Sequence, residues 1–407
     1  MKHDPNYDNS NDEFEESEEL EESNIQEMEE YNIKEEISRV KNFIASQGFT
    51  YIDALIENYY LSLKTKPFVI LAGISGTGKT RLVKLFAEAV GSTVDNGRMK
   101  IVPVHPDWSD STDLLGHLNL DGKFVPGAII DFVKQASLDL QHPYFLCLDE
   151  MNLARVEYYF SDFLSVIETR DMENDGNIQT IPLISDDAFG MDEEALEKFG
   201  NLMIPENLYV IGTVNMDDST FPFSRKVLDR ANTIEFSDVM LIPEVINETE
   251  STAKEMNNTF LKSPYVKLKD AKDEWEDVIE ISTELEAINK VLAKDGDQIG
   301  YRIRDEIVFY MLNNKNSGLL SNEDAFDFAV LQKILPRLQG SQQSLKDVLC
   351  ELFKRFAGDF EGYSNGNVEV ASAMFKQAAS AKYPRSAKKI AYMVRRFEED
   401  GFTSYWL

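Results

Sequence analysis

Apolar residues recur at helical spacing from Ile37 to Tyr60: Ile37, Val40, Phe43 and Ile44, then Ile52, Leu55, Ile56 and Tyr59. That period predicts two helices leading into a sheet. Phe68 to Ala72 (Phe-Val-Ile-Leu-Ala) then forms a short, wholly apolar run, as expected of a strand covered on both faces. Helical spacing resumes from Thr80 to Val90 through Leu82, Leu85, Phe86 and Val90. Met99 to Val104, Tyr144 to Leu148 and Leu208 to Val214 read as three further strands, with helical stretches around 126–140 and 153–170. Strands alternating with helices predict an α/β fold with a parallel sheet flanked by helices. The stretch 171–207 breaks the alternation. It reads as an insertion, a hairpin with a tip followed by an acidic helix around 191–199. From about Thr252 the pattern is helical, as in Leu345, Val348, Leu349, Leu352 and Phe353. The expected organisation is an α/β domain over 37–250, opened by helices in 37–62, and an α-helical domain over 251–407.

Charge changes this picture at one end. The formal net charge is −31, and residues 1–36 hold 15 acids against 2 bases. That segment has no apolar face and reads as a disordered tail, either solubilising or docking a basic partner. The body is acidic too and has no long basic stripe. An autonomous DNA-binding surface, which needs clustered Lys and Arg, is not expected; local basic patches lining a pore are left open. Cys147 and Cys350 each lie in an apolar setting, as core residues suited to a reducing compartment. The acidic N-terminus is unlike a signal peptide. No apolar stretch reaches the roughly 18–20 residues of a membrane span. The expectation is a cytoplasmic protein with no membrane contact.

The chemistry is concentrated at strand ends. Gly73-Ile74-Ser75-Gly76-Thr77-Gly78-Lys79-Thr80 matches G-x-x-x-x-G-K-[ST] in full, after an apolar strand and before a helix. Glycines let the backbone wrap phosphates, Lys79 would neutralise the β and γ phosphates, and the Thr80 hydroxyl would sit on Mg²⁺. Tyr144 to Leu148 ends in Asp149-Glu150, the form of a Walker B strand. Asp149 would hold Mg²⁺ through its water shell, and Glu150 would orient or deprotonate the attacking water. The strand from Tyr209 ends in Asn215, placed to sense a γ-phosphate; a simple turn Asn before Asp217 and Asp218 is the alternative. In Phe223 to Arg230, either arginine could reach a neighbour's γ-phosphate as a finger, and Arg230 is preferred over Arg225. Arg302, or else Arg304, in Gly300 to Glu306 could reach back to the phosphates as a second sensor. A solvated helix start explains that run as well. His3, His105, His117 and His142 lack metal-ligand spacing.

Taken in order, Gly73–Thr80, Leu148 to Asn152, Gly212 to Asp218 and Leu228 to Arg230 resemble the motor subunit of McrB-type restriction systems. The blocks Val104 to Asp110, Asp113 to Gly116 and Phe124 to Gly127 resemble the McrB and MoxR branch of AAA+ proteins, and Ser386 to Trp406 is similar to the end of some McrB-like chains. The resemblance implies a P-loop AAA+ core with a C-terminal α-helical lid. It implies a hexameric ring of identical subunits, using GTP or ATP with Mg²⁺. It also implies an McrC-like nuclease partner, with DNA met through the complex in antiphage defence. The family signature Met-Asn-x-x-Asp-Arg has Val214 for the Met, keeps Asn215 and Asp218, and has Ser219 for the Arg. That departure leaves GTP against ATP open. The family's DNA-reading domain before the motor is not seen ahead of Ile37, so DNA recognition would come from a partner or the pore. Two other readings compete: a MoxR-like chaperone that remodels protein, and a nucleotide-gated scaffold, against which Glu150 speaks.

Overall fold

The computed structural model describes residues 31–216, 221–237, 251–359 and 370–406, which from Asn32 onward belong to one compact unit, Asn32–Leu407. Two helices open it, α1 (Ile33–Ser46) and α2 (Leu55–Thr65), followed by β1 (Phe68–Gly73) and α3 (Lys79–Ala89). Next come β2 (Met99–Pro103), α4 (Thr112–Leu115), the strands β3 (Gly116–Leu118) and β4 (Phe124–Pro126), α5 (Ile130–Ser137) and β5 (Tyr144–Asp149). Beyond β5 lie α6 (Val156–Tyr159), α7 (Ser161–Val166), β6 (Asp171–Met172), β7 (Ile178–Gln179), α8 (Glu193–Phe199), β8 (Leu208–Asn215), α9 (Arg225–Leu228) and β9 (Asn232–Glu235). The rest is helical apart from one short ladder: α10 (Trp275–Leu292), α11 (Tyr301–Ser317), α12 (Asn322–Lys333), β10 (Gln339–Gly340), α13 (Gln343–Ala357), α14 (Val370–Ala378), α15 (Pro384–Asp400) and β11 (Thr403–Ser404).

The main sheet has the order β2-β5-β8-β1-β9, and each neighbouring pair is parallel. β1 is buried along its whole length. Its apolar residues meet helices on both faces, which is why the sequence there shows no alternation. The register aligns Gly73 with Asn215, Ala72 with Glu235 and Pro103 with Asp149. All strands therefore end on one edge, where open α/β sheets bind their ligands. Gly73 is required there by packing: a Cβ would lie 2.3 Å from the Phe236 carbonyl oxygen.

The strand β9 was not predicted. It spans only Asn232–Glu235, with Ile234 its one apolar residue, and it is held by pairing with β1. The insertion does form a hairpin, β6 against β7, and then the acidic helix α8. Asp192 caps α8 and also accepts from the Phe124 amide at 2.9 Å, tying the insertion to the β3–β4 hairpin. Cys147 and Cys350 are buried, and burial pushes the Cys350 thiol up to about 12. The helical region packs along the β9 side, with α11 on α2 and α12 on β9. No helix among the described residues is long and apolar enough to cross a membrane. Most of the predicted tail, residues 1–30, lies outside the described residues.

Candidate nucleotide site

The loop between β1 and α3 turns through Gly76 and Gly78 at φ +81° and +89°, values that L side chains rarely adopt. It closes on itself: Lys79 Nζ donates to the carbonyls of Gly73 at 3.0 Å and Ile74 at 2.7 Å, and the Thr77 hydroxyl donates to Ile74 at 3.0 Å. Burial lowers the Lys79 amine, and Asp149 and Glu150 oppose that shift. Its partners are neutral carbonyls, which a phosphate oxygen can replace at no cost in ion pairs.

Across from this loop, Asp149 and Glu150 leave the end of β5. The Thr80 hydroxyl donates to Asp149 Oδ1 at 2.6 Å, and the Thr213 hydroxyl to the same oxygen at 2.7 Å. The Glu150 amide donates to Thr213 Oγ1 at 3.1 Å, and Asn215 Nδ2 donates to Glu150 Oε1 at 2.9 Å. Among the described residues, Glu150 is one of two non-glycine residues at positive φ, +53°. That strained backbone turns its carboxylate toward Asn215. Asn152 Nδ2, bonded to the Asn215 carbonyl at 3.0 Å, fixes the end of β8. A hydroxyl beside a carboxylate at the mouth of a phosphate-type loop is an all-oxygen donor set that suits Mg²⁺.

The structure thus brings together Gly73, Ile74, Ser75, Gly76, Thr77, Gly78, Lys79, Thr80, Asp149, Glu150 and Asn215. Asp218 lies outside the described residues, as does Ser219. Arg225 is elsewhere, paired with Asp297 Oδ1 at 2.5 Å. Arg230 lies just before β9, at the opposite end of the sheet, with its Nε 4.0 Å from Glu168. Arg302 is a correction. Its Nε sits 2.5 Å from Glu168, which also holds Lys66, two residues before β1. The six-residue β1 separates that point from Gly73 by about 20 Å at ~3.3 Å per residue. Arg302 therefore does not reach this subunit's own phosphate loop. Arg304 bonds Asp305 at 2.7 Å and lies over the Tyr301 ring.

Two contributors were missed. Thr213 joins both acids; its signal was a lone polar residue following Gly212 inside an apolar strand. Tyr51, between α1 and α2, donates to the Gly78 carbonyl at 3.3 Å and stands edge-on to Phe236 at 5.7 Å. Nothing in its local sequence marks that contact.

This strand order, with a glycine-rich loop after β1 and acids after β5, defines a P-loop AAA+ domain. More narrowly, residues 68–231 match the AAA domain of the dynein-related subfamily, and residues 248–402 match a domain of unknown function (DUF8727). No curated protein matches the chain. Among solved structures, it is similar to a candidate ATPase from Cytophaga hutchinsonii, at 16% identity over 80% of this chain and 90% of that one, with a TM-score of 0.45. It is also similar to NtrX from Brucella abortus, at 15% identity over 55% of this chain and 43% of that one, with a TM-score of 0.28.

Proposed function

We propose that the chain is a Mg²⁺-dependent nucleoside triphosphatase whose active sites form between copies of itself in a ring. The observation that supports this best is the unbroken series Thr80–Asp149–Thr213–Glu150–Asn215, each step a hydrogen bond of 2.6–3.1 Å. The amides of Gly73–Thr80 and Lys79 would cradle the phosphates. Thr80 and Asp149 would hold Mg²⁺, which supplies charge neutralisation at the β and γ oxygens. Glu150 accepts the proton of the attacking water or orients it, and Asn215 keeps that carboxylate aimed. Arg230, directed away from its own loop, meets a neighbour's γ-phosphate.

Within this class we favour a motor that drives an McrC-like endonuclease in restriction of foreign DNA, cytoplasmic and touching DNA through the complex. The resemblance of Leu148 to Asn152, Gly212 to Asp218 and Ser386 to Trp406 supports it. A MoxR-like chaperone that remodels protein partners is the second reading, favoured by the net charge of −31, which opposes contact with nucleic acid. The deciding experiment is hydrolysis of GTP and ATP side by side with Mg²⁺, alone and with a co-encoded McrC-like protein. Partner-stimulated GTP turnover is the expected result. ATP turnover indifferent to that partner would replace it with the remodelling reading.

A further inference from the structure

Between Leu208 and Val214, β8 is apolar except at Gly212 and Thr213. Tyr209 and Thr213 share one face of the strand by alternation, and that face is lined with rings: Tyr209 lies 5.7 Å from Phe145, and Phe145 lies 6.2 Å from Phe86 of α3. Thr213 is 2% exposed. Valine has the same shape and would pack there at no polar cost, so a hydroxyl at this depth must be offset by hydrogen bonds. Its two hydrogen bonds both go to the acids at the end of β5. Oγ1 donates to Asp149 Oδ1 at 2.7 Å and accepts from the Glu150 amide at 3.1 Å. Each bond settles a separate degree of freedom. The first fixes the rotation of the Asp149 carboxylate, on whose Oδ1 the Thr80 hydroxyl also converges, at 2.6 Å. The second holds the amide of Glu150, whose φ of +53° an L residue keeps only where its surroundings impose it. The register brings the parts together, because Leu148 stands opposite Gly212 and the next residue of each strand follows. Gly212 leaves the room that the Met151 side chain fills, so the chain just after Glu150 is pressed onto the same strand.

We propose that Thr213 is a positioning residue for the metal and for the attacking water at once: one hydroxyl sets the angle of Asp149 and pins the backbone that carries Glu150. This rests on the reading of Asp149 as a holder of Mg²⁺ and of Glu150 as the group that orients water. Thr213 acts only through these two acids, as an outer partner that orients an inner ligand, and it makes their placement a joint property of β5 and β8.

The test compares, in the full chain, Thr213→Val, which keeps the shape and removes both bonds, with Thr213→Ser, which keeps the hydroxyl. Mn²⁺ binding, read by electron paramagnetic resonance with the imido analogues of ATP and GTP, should weaken about 10–10²-fold in Thr213→Val. Its kcat at saturating Mg²⁺ should fall by about the same factor. Affinity for the analogues in EDTA should hold, which a general structural defect would not allow. Thr213→Ser should recover both metal binding and kcat, and its failure to do so would remove the hydroxyl from the account. If Thr213→Val holds Mn²⁺ and turns over as the unaltered chain does, the assignment of Thr213 is overturned while the proposed function stands. Loss of metal binding alone, or of kcat alone, would overturn the joint role. If the unaltered chain neither holds Mn²⁺ with a triphosphate nor hydrolyses one, the proposed function itself falls.

Discussion

At the C-terminal ends of its strands the sheet presents hydroxyls, amides and two acids joined by single hydrogen bonds. At the N-terminal ends it presents lysines, arginines and glutamates joined by ion pairs. Lys79 illustrates the first edge: its charge rests on two backbone carbonyls, contacts that can be exchanged for a ligand. Lys66, Lys333 and Glu306 illustrate the second, with side chains only 3–9% exposed. Burial alone would raise the Glu306 carboxyl, yet Lys333 and Lys66 hold it below the ordinary carboxylate range. Charges taken this far from water must keep their partners. They fasten α11 and α12 to the start of β1 and β9. The first edge holds contacts that a ligand can exchange, and the second holds buried pairs that stay closed.

That contrast is open to attack at three strengths. The largest effect should come from Glu150→Gln, which keeps the shape and hydrogen-bond reach of the side chain. Hydrolysis should fall by about 10²–10⁴-fold while nucleotide binding and melting temperature hold; near-normal turnover would remove Glu150 from its role. Next is Glu306→Gln, which leaves Lys333 and Lys66 short of a buried counter-charge. Urea unfolding should show a loss of about 3–5 kcal/mol. A loss below 1 kcal/mol would mean that water reaches the N-terminal edge and that attachment lies elsewhere.

The smallest effect concerns Lys64, on α2, whose amine donates to the carbonyls of Phe260 at 3.1 Å and Lys262 at 2.9 Å. Burial pushes it down to about 8, against about 10.4 in an unfolded chain. Below pH 8 the amine is protonated in both states, and the folded state bears the cost of its burial. Between pH 8 and 10 the folded protein releases that proton and the unfolded chain keeps it, so stability rises with pH. The rise should be about 1–2 kcal/mol and absent in Lys64→Met. Parallel urea titrations of the two proteins at pH 8 and pH 10 measure it; equal slopes would show that Lys64 stays charged when folded.

The first edge was largely legible in the sequence, because each of its parts is local. Gly73–Thr80 is eight consecutive residues, and Asp149, Glu150 and Asn215 each follow an apolar run whose end can be counted. Thr213 was the exception, since its role depends on register: Leu148 lies opposite Gly212, so the next residue up each strand meets the other. The second edge was hidden. Lys66 and Glu306 are 240 positions apart, and Lys66 and Glu168 are 102 apart. No periodicity links them, so Arg302 could be placed only relative to its own helix start. The four-residue β9 was missed for a related reason, because its identity as a strand comes from its neighbour β1 more than from its own residues.

The Tyr51 contact has a consequence of another kind. Phenol, carbonyl and ring join positions 51, 78 and 236 without a formal charge among them, and burial pushes the Tyr51 hydroxyl up so that it keeps its proton. Added salt screens exposed pairs such as Lys267 with Asp171 and damps the repulsion within so acidic a chain, but it has no purchase on this clasp. At Gly78 the glycine-rich loop is thus held by a contact that salt does not screen.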